Sequence, residues 1–317
     1  MADLSLSRSQ LLLLAGTANR PLAEEMAQHL GQPLCAVTLR RFADGEIFVK
    51  IDENVRGRDV FIIQPTNPPA ENLMELLLLI DAARRASAAR VTAVLPYFGY
   101  ARQDRKDQPR APITAKLVAN LITVAGADRA LTMDLHSAQI QGFFDIPLDH
   151  LYAAPVLIDH FSKLEIPNLV VVAPDIGSVK MARAYAKRLG AELALVDKRR
   201  PRADAVEVMS LIGDVEGKNV VMFDDVVTTA RTLCQAAEAL KRNGALEIRA
   251  GVTHGVLCPD AFERVERSPI VELVVTDTLD HSNPPLPKNV VELSVAGLLG
   301  DAEQLIHEER SLSSLFV

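Results

Sequence analysis

Short runs of β-branched residues and leucine alternate along the chain with stretches whose apolar positions recur at helical spacing. A short apolar run bounded by turn residues reads as a buried strand, and recurrence at i, i+3, i+4 and i+7 reads as a helix packed by one face. On that basis strands are predicted over Leu11–Ala15, Cys35–Leu39, Glu46–Ile51, Val60–Ile63, Val91–Leu95 and Ala130–Met133. A second series follows over Leu169–Ala173, Leu193–Val196, Glu207–Leu211, Val220–Phe223, Ile248–Val252 and Val271–Val275. Helices are predicted between them, among them Asn72–Ser87 and Thr114–Ala125. Around the second of these, Ile113, Leu117, Val118, Leu121 and Ile122 fall on one face. Strands and helices in such alternation imply mainly parallel sheets flanked by helices on both sides, an α/β fold.

The alternation starts afresh around Asp149–Pro155, and VVVAPD (170–175) parallels AVLPYF (93–98) as a buried strand running into a turn. Two similar α/β domains are therefore expected, over residues 1–150 and 151–317, a length that gives each its own core. The opening LLLLAG and TANRPLAEEMAQHL read as strand, turn and helix, not as a signal peptide. No apolar run reaches membrane-spanning length; MELLLLIDAARRAS is broken by Asp81, Arg84 and Arg85. HSNPPLPKN (281–289) reads as a surface loop.

Composition changes this picture little. There is no tryptophan, so Leu, Val, Ile and Ala must fill the cores, and the net charge of −7 argues against a nucleic-acid partner. Cys35, Cys234 and Cys258 are far apart and form no metal-ligand spacing, which suits a reduced, cytoplasmic setting.

The candidate chemistry lies where strands end. In VVMFDDVVTTARTL (220–233), Asp224 and Asp225 close a buried strand, the place where open α/β sheets hold ligands. Neighbouring carboxylates there suit the vicinal hydroxyls of a sugar, or a divalent ion held through its waters. Thr228, Thr229, Ala230, Arg231 and Thr232 follow as a turn into a helix, an anion site of helix-terminus type. The plainer alternative is a pair of surface acids before an ordinary helix. PYFGYARQDRK (96–106) sets Arg102, Gln103, Arg105 and Lys106 beside two tyrosines, and arginine's fork suits polyphosphate. RRFADGE (40–46) reads alone as a turn with an exposed Phe42. In MDLHSAQIQGFFD (133–145), His136 becomes a metal candidate only with a partner such as Asp175. VDKRRPR (196–202) gathers four cations in what reads as a loop. GDVEGKN (213–219) lacks the spacing of a nucleoside-triphosphate P-loop and precedes a strand.

Taken together, FADGE, PYFGYARQDRK, PITAKL, DLHSAQIQGFFD and DKRRPR make the chain resemble the ribose-phosphate pyrophosphokinase (PRPP synthetase) family over nearly its whole length. The resemblance implies two domains of the type I phosphoribosyltransferase kind. It also implies transfer of pyrophosphate from Mg-ATP to the anomeric hydroxyl of ribose 5-phosphate, with AMP leaving. Carried over, Phe42 would stack on adenine, with Asp44, Gly45 and Glu46 of a neighbouring subunit completing the pocket, and Arg102 and Gln103 would hold ATP. His136 and Asp175 would serve the Mg2+ site. Asp224 and Asp225 would meet the ribose hydroxyls, and the loop Thr228–Thr232 the 5-phosphate. Lys198 and Arg200 match the family's mobile catalytic loop, and the family assembles as hexamers built from dimers.

Some positions depart from the family pattern. The phosphate loop, usually Asp-Thr-(Gly/Ala)-Gly-Thr, is here Thr228-Thr229-Ala230-Arg231-Thr232. Ser178 replaces the second glycine of the turn after Asp175, and Met181 stands where arginine is common. Glycine lets amides approach an anion and permits φ > 0, so Arg231 is expected to cost backbone freedom while adding a cation. Two readings follow: an active synthetase, or a non-catalytic regulatory paralogue that assembles with an active one. A conventional phosphoribosyltransferase would need neither YARQDRK nor DKRRPR.

Overall fold

The computed structural model describes residues 10–199 and 208–316. The chain divides into two compact units, one running to Tyr152 and taking up again from Ala296, the other spanning Ala153–Val295.

The first unit opens with β1 (Leu11–Ala15) and α1 (Arg20–His29), whose first turn is capped by Asn19 accepting from the Leu22 amide at 3.2 Å. A hairpin of β2 (Val37–Arg41) and β3 (Ile47–Ile51) follows, then β4 (Asp59–Ile63), α2 (Glu71–Arg85) and β5 (Arg90–Leu95). After them come α3 (Thr114–Ala125), β6 (Arg129–Met133) and β7 (Leu148–Leu151). The sheet is parallel throughout, in the order β1-β4-β5-β6-β7. β4 is buried at every position, as a strand covered on both faces must be. Leu76, Leu79 and Ile80 of α2 and Val118 and Ile122 of α3 complete the core with it.

The second unit comprises α4 (Ala154–Lys163), β8 (Leu169–Ala173), α5 (Val179–Leu189), β9 (Glu192–Arg199) and β10 (Val208–Ile212). It continues with β11 (Asn219–Val227), α6 (Arg231–Arg242), β12 (Ile248–Gly255), α7 (Pro259–Arg267), β13 (Ile270–Thr276) and β14 (Val290–Leu293). Its sheet runs β10-β9-β8-β11-β12-β13-β14, parallel except for the edge strand β10. From β8 the chain builds outward through β9 and β10, then returns to place β11 on the other side of β8. The order therefore reverses between β8 and β11. Phe223 of β11 is fixed beneath that point, stacked on Tyr185 with centroids 3.8 Å apart and edge-on to Phe161 at 5.4 Å.

Several expectations are corrected. The runs at Cys35–Leu39 and Glu46–Ile51 pair antiparallel with each other and stay outside the parallel sheet. β7 and β14 were missed because each is only four residues long, and β7 carries Asp149 and His150. On α3, Val118 and Ile122 are buried, but Ile113, Leu117 and Leu121 are exposed; the inward stripe is completed by Ala115 and Ala119.

The end of the chain does not stay with the second half. Helix α8 (Ala296–His307) belongs to the first unit, burying Leu299, Ala302 and Ile306. Asp59, at the start of β4, accepts from Arg90 (Nε, 2.9 Å) and from His307 (Nδ1, 2.8 Å), and Arg90 also donates to the Ile306 carbonyl at 3.0 Å. Beside this cluster Glu303 is fully buried with neither carboxylate oxygen hydrogen-bonded. Burial, and after it the charge of Asp59, holds its carboxyl well above the usual carboxylate range. A raised carboxyl pKa contributes stability only below the unfolded value, and that contribution is lost as pH rises toward the folded one. Glu303→Met is therefore expected to raise the melting temperature, and to raise it more at pH 8 than at pH 5. Thermal scans at both values check this; an equal shift, or a lower melting temperature at pH 8, contradicts it.

Candidate active site

The strand order of the second unit reverses between β8 and β11, and the carboxyl ends of strands at such a reversal are where open α/β sheets receive ligands. β8 ends at Ala173 and runs through Pro174 into Asp175; β11 carries Asp224 and Asp225 near its end. Burial pushes the Asp224 carboxyl up to about 8, helped by the negative charges of Asp225 and Asp175. The three acids expected from sequence in this unit are thus brought together. Ser178 fixes one of them: its amide donates to Asp175 Oδ1 at 2.9 Å, and its hydroxyl to the Asp175 carbonyl at 3.0 Å. Ser178 has φ −85°, ordinary helical backbone, so no glycine is needed there.

The loop from Thr228 leads into α6, whose first residues are Arg231 and Thr232, both exposed. Here the expectation for Arg231 is corrected. Arg231 is already helical, and the left-handed conformation falls one residue earlier, at Ala230 (φ 55°, ψ 5°). Glycine at 231 would gain no conformational freedom. The loop carbonyls are each engaged: Val227 accepts from the Leu257 amide at 3.1 Å, Thr228 from the Cys258 amide at 2.9 Å, and Thr229 from the Arg264 guanidinium. Arg264, on α7, was not singled out from sequence, since nothing local marks a helical arginine that reaches a loop 35 residues away.

In the first unit the remaining candidates lie at strand ends and at the hairpin tip. Phe42 is exposed, edge-on to Phe48 with centroids 5.6 Å apart, and the Arg40 guanidinium lies over both rings. Gly45 takes φ 97° to close the turn, and the Glu46 amide donates to Asp44 at 3.2 Å. In PYFGYARQDRK, Tyr97 and Phe98 are buried core residues and Tyr100 is exposed, so the aromatic cluster is less a binding surface than the sequence suggested. Gly99 is fixed by close approach, because a Cβ there would stand 2.0 Å from the Thr66 carbonyl oxygen. Arg102 is exposed beyond it, and Gln103 is tied to α3 through the Ala115 amide at 3.2 Å. His136 is exposed after β6. It lies in a different unit from Asp175.

Lys198 is near the end of β9, described in its backbone alone, and Arg200 lies outside the described residues. Among the described residues, no three His, Cys, Asp or Glu side chains converge closely enough to ligate one ion. Asp224 feels the charges of Asp175 and Asp225, and such acids suit magnesium, which keeps several of its waters and takes few direct protein ligands, so three converging side chains are not required. No helix among the described residues is long and apolar enough to cross a membrane.

Carboxylates at a strand-order reversal, followed by a threonine-rich turn into a helix, are a pattern by which open α/β sheets hold phosphorylated ligands. Comparison narrows the class. Residues 11–126 match the N-terminal domain of ribose phosphate pyrophosphokinase, and residues 201–317 match the phosphoribosyl synthetase-associated domain. The chain is 55% identical to the ribose-phosphate pyrophosphokinase of Chlorobaculum tepidum, over 96% of this chain and 94% of that one. It is 56% identical to that of Rhodopirellula baltica, over 97% and 98%. The crystal structure of phosphoribosylpyrophosphate synthetase from Mycobacterium smegmatis superposes with a TM-score of 0.90 at 40% identity, over 95% of this chain and 100% of that one. The chain belongs to the ribose-phosphate pyrophosphokinase family. The regulatory-paralogue reading draws no support from these matches.

The corrected loop geometry sets an expectation for stability. Ala230→Gly relieves a left-handed residue, worth about 1 kcal/mol, and loses one buried methyl, worth about 0.8 kcal/mol. The two nearly cancel, so the change should stay within about 0.5 kcal/mol. Arg231→Gly relieves nothing and puts glycine in a helix, a loss of at most about 1 kcal/mol. Urea unfolding of both variants checks this, and a stabilised Arg231→Gly protein contradicts it.

Proposed function

We infer that the protein transfers pyrophosphate from Mg-ATP to the anomeric hydroxyl of ribose 5-phosphate, giving 5-phosphoribosyl 1-pyrophosphate and AMP for nucleotide biosynthesis. The observation that carries this reading is the convergence of Asp175, Asp224 and Asp225 at the strand-order reversal, beside the Thr228–Thr232 turn, in a chain of this family. The anomeric oxygen forms a bond to the β-phosphorus of ATP. The bond from that phosphorus to the bridging oxygen of the α-phosphate breaks, AMP leaves with that oxygen, and the hydroxyl proton is released. Such a transfer needs little covalent help from the protein; positioning and charge neutralisation supply the rate.

On this reading Asp224 and Asp225 accept hydrogen bonds from the ribose hydroxyls, and the turn from Thr228 to Thr232 holds the 5-phosphate by backbone amides and threonine hydroxyls. Arg231, exposed at the first turn of α6, is free of the backbone strain first assigned to it and adds positive charge near that phosphate. Phe42 offers an exposed ring for adenine, with Asp44, Gly45 and Glu46 completing the pocket from a neighbouring subunit, and Arg102 and Gln103 hold the phosphates of ATP. Asp175 and His136 would each serve Mg2+, which when bound would neutralise phosphate charge. Lys198, near the end of β9, and Arg200, two residues further on, would close over the transferring group and exclude water.

A homo-oligomer, a hexamer built from dimers, fits an adenine pocket shared between subunits. It is supported by an exposed apolar stripe on the first unit, where Ile113, Leu117, Leu121 and Val124 recur at helical spacing. A cytoplasmic location agrees with three unpaired cysteines.

Three experiments test this. Purified protein is expected to form AMP from ATP only when ribose 5-phosphate is added; ATP turnover indifferent to the sugar phosphate, or none, overturns the reading. Lys198→Ala and Arg200→Ala should each lower kcat by about a hundredfold or more, with a much smaller effect on the KM for ATP, and unchanged kcat removes both from the catalytic machinery. Light scattering should find at least a dimer, whereas a monomer that binds ATP tightly contradicts the shared pocket.

A further inference from the structure

The ligand-facing turn of the second unit contains no glycine from Thr228 to Thr232, yet it holds Ala230 in the left-handed region at φ 55°. A strained residue of this kind persists only where its surroundings over-determine it. Its neighbour Thr229 meets such a constraint from outside the loop, in the Arg264 guanidinium of α7 bonded to its carbonyl oxygen. We propose that Arg264 is a positioning residue: by pinning the Thr229 carbonyl it fixes the Thr229–Ala230 peptide plane and so holds Ala230 in a left-handed conformation that a residue with a Cβ rarely adopts. The assignment rests on the ribose 5-phosphate reading given above.

The consequence for binding follows from the planarity of the trans peptide. A carbonyl held in one direction turns the amide N–H of the next residue the opposite way. The carbonyls of Val227, Thr228 and Thr229 are engaged in turn by the Leu257 amide, the Cys258 amide and Arg264. The amides of Thr228, Thr229 and Ala230 are therefore turned away from those partners, and they lead directly into the first turn of α6. Successive amides presented this way form the concave donor array that receives an anion. The first two pins are backbone amides just before α7, which no side-chain change short of proline removes. The third is a side chain, and it acts on the residue preceding the strained one.

The test compares wild type with Arg264→Met, Arg264→Lys and the double variant Arg264→Met/Ala230→Gly. Arg264→Met should raise the KM for ribose 5-phosphate about tenfold, equivalent to about 1.4 kcal/mol, with kcat and the KM for ATP nearly unchanged. Arg264→Lys retains a donor and should lie between Arg264→Met and wild type. Glycine at 230 in the double variant should recover part of the loss, because the turn then no longer needs the pin; a purely structural defect would not be rescued by it. Hydrogen exchange of the ligand-free protein gives a readout independent of turnover: the amides from Thr228 to Thr232 should exchange faster in Arg264→Met. Wild-type exchange in that segment overturns the pin, as does a wild-type KM for ribose 5-phosphate or an equal rise in both KM values. If wild type forms no AMP with ribose 5-phosphate, the functional reading falls, and the exchange experiment still decides the role of Arg264.

Discussion

The second unit depends on one topological constraint, the reversal of strand order between β8 and β11. Two parallel strands whose following segments leave in opposite directions open a crevice between their carboxyl ends. That crevice brings Asp175 against Asp224 and Asp225, although 49 residues separate Asp175 from Asp224 in sequence. Burial first, and after it the negative charges of Asp225 and Asp175, push the Asp224 carboxyl up to about 8. An arrangement of this kind is costly in the empty protein and becomes favourable when a cation or donor hydroxyls meet it. The core beneath it is correspondingly firm: Phe223, one residue before Asp224, is fully buried and stacked on Tyr185.

The first unit is organised differently. Its strand order proceeds in one direction from β1 through β4 to β7, so its sheet has no reversal and no crevice of that type. Its candidate residues instead sit on what projects from the frame: the β2–β3 hairpin tip, the loop after β5 and the loop after β6. The polar cluster that ties α8 to the first unit, Asp59 with Arg90 and His307, lies at the start of β4 and β5, the end opposite to these loops.

Much of this was legible in the sequence, for identifiable reasons. Strands buried on both faces announce themselves as continuous apolar runs, and β1 and β8 fall on the residues expected. The place of Asp224 and Asp225 in the fold was legible because the apolar run before them marks a buried strand, although that strand continues past them to Val227. Three things were not. The return of α8 to the first unit depends on long-range packing and on Arg90, Asp59 and His307, which no local pattern joins. The burden placed on Arg231 was misassigned by one residue, because which position of a turn takes φ > 0 is set by backbone geometry and not by the spacing of residue types. Arg264 was invisible because its partner is a backbone carbonyl in a distant loop.

In the proposed function, ribose 5-phosphate lies at the β8–β11 reversal, with its hydroxyls on Asp224 and Asp225 and its phosphate on the turn that opens α6. A crystal structure of the protein with ribose 5-phosphate tests this most directly. The account predicts the phosphate within hydrogen-bond distance of the amides from Thr228 to Thr232, and the vicinal hydroxyls on the two aspartates. A sugar phosphate bound elsewhere, or bound here with its phosphate turned away from that loop, would contradict it.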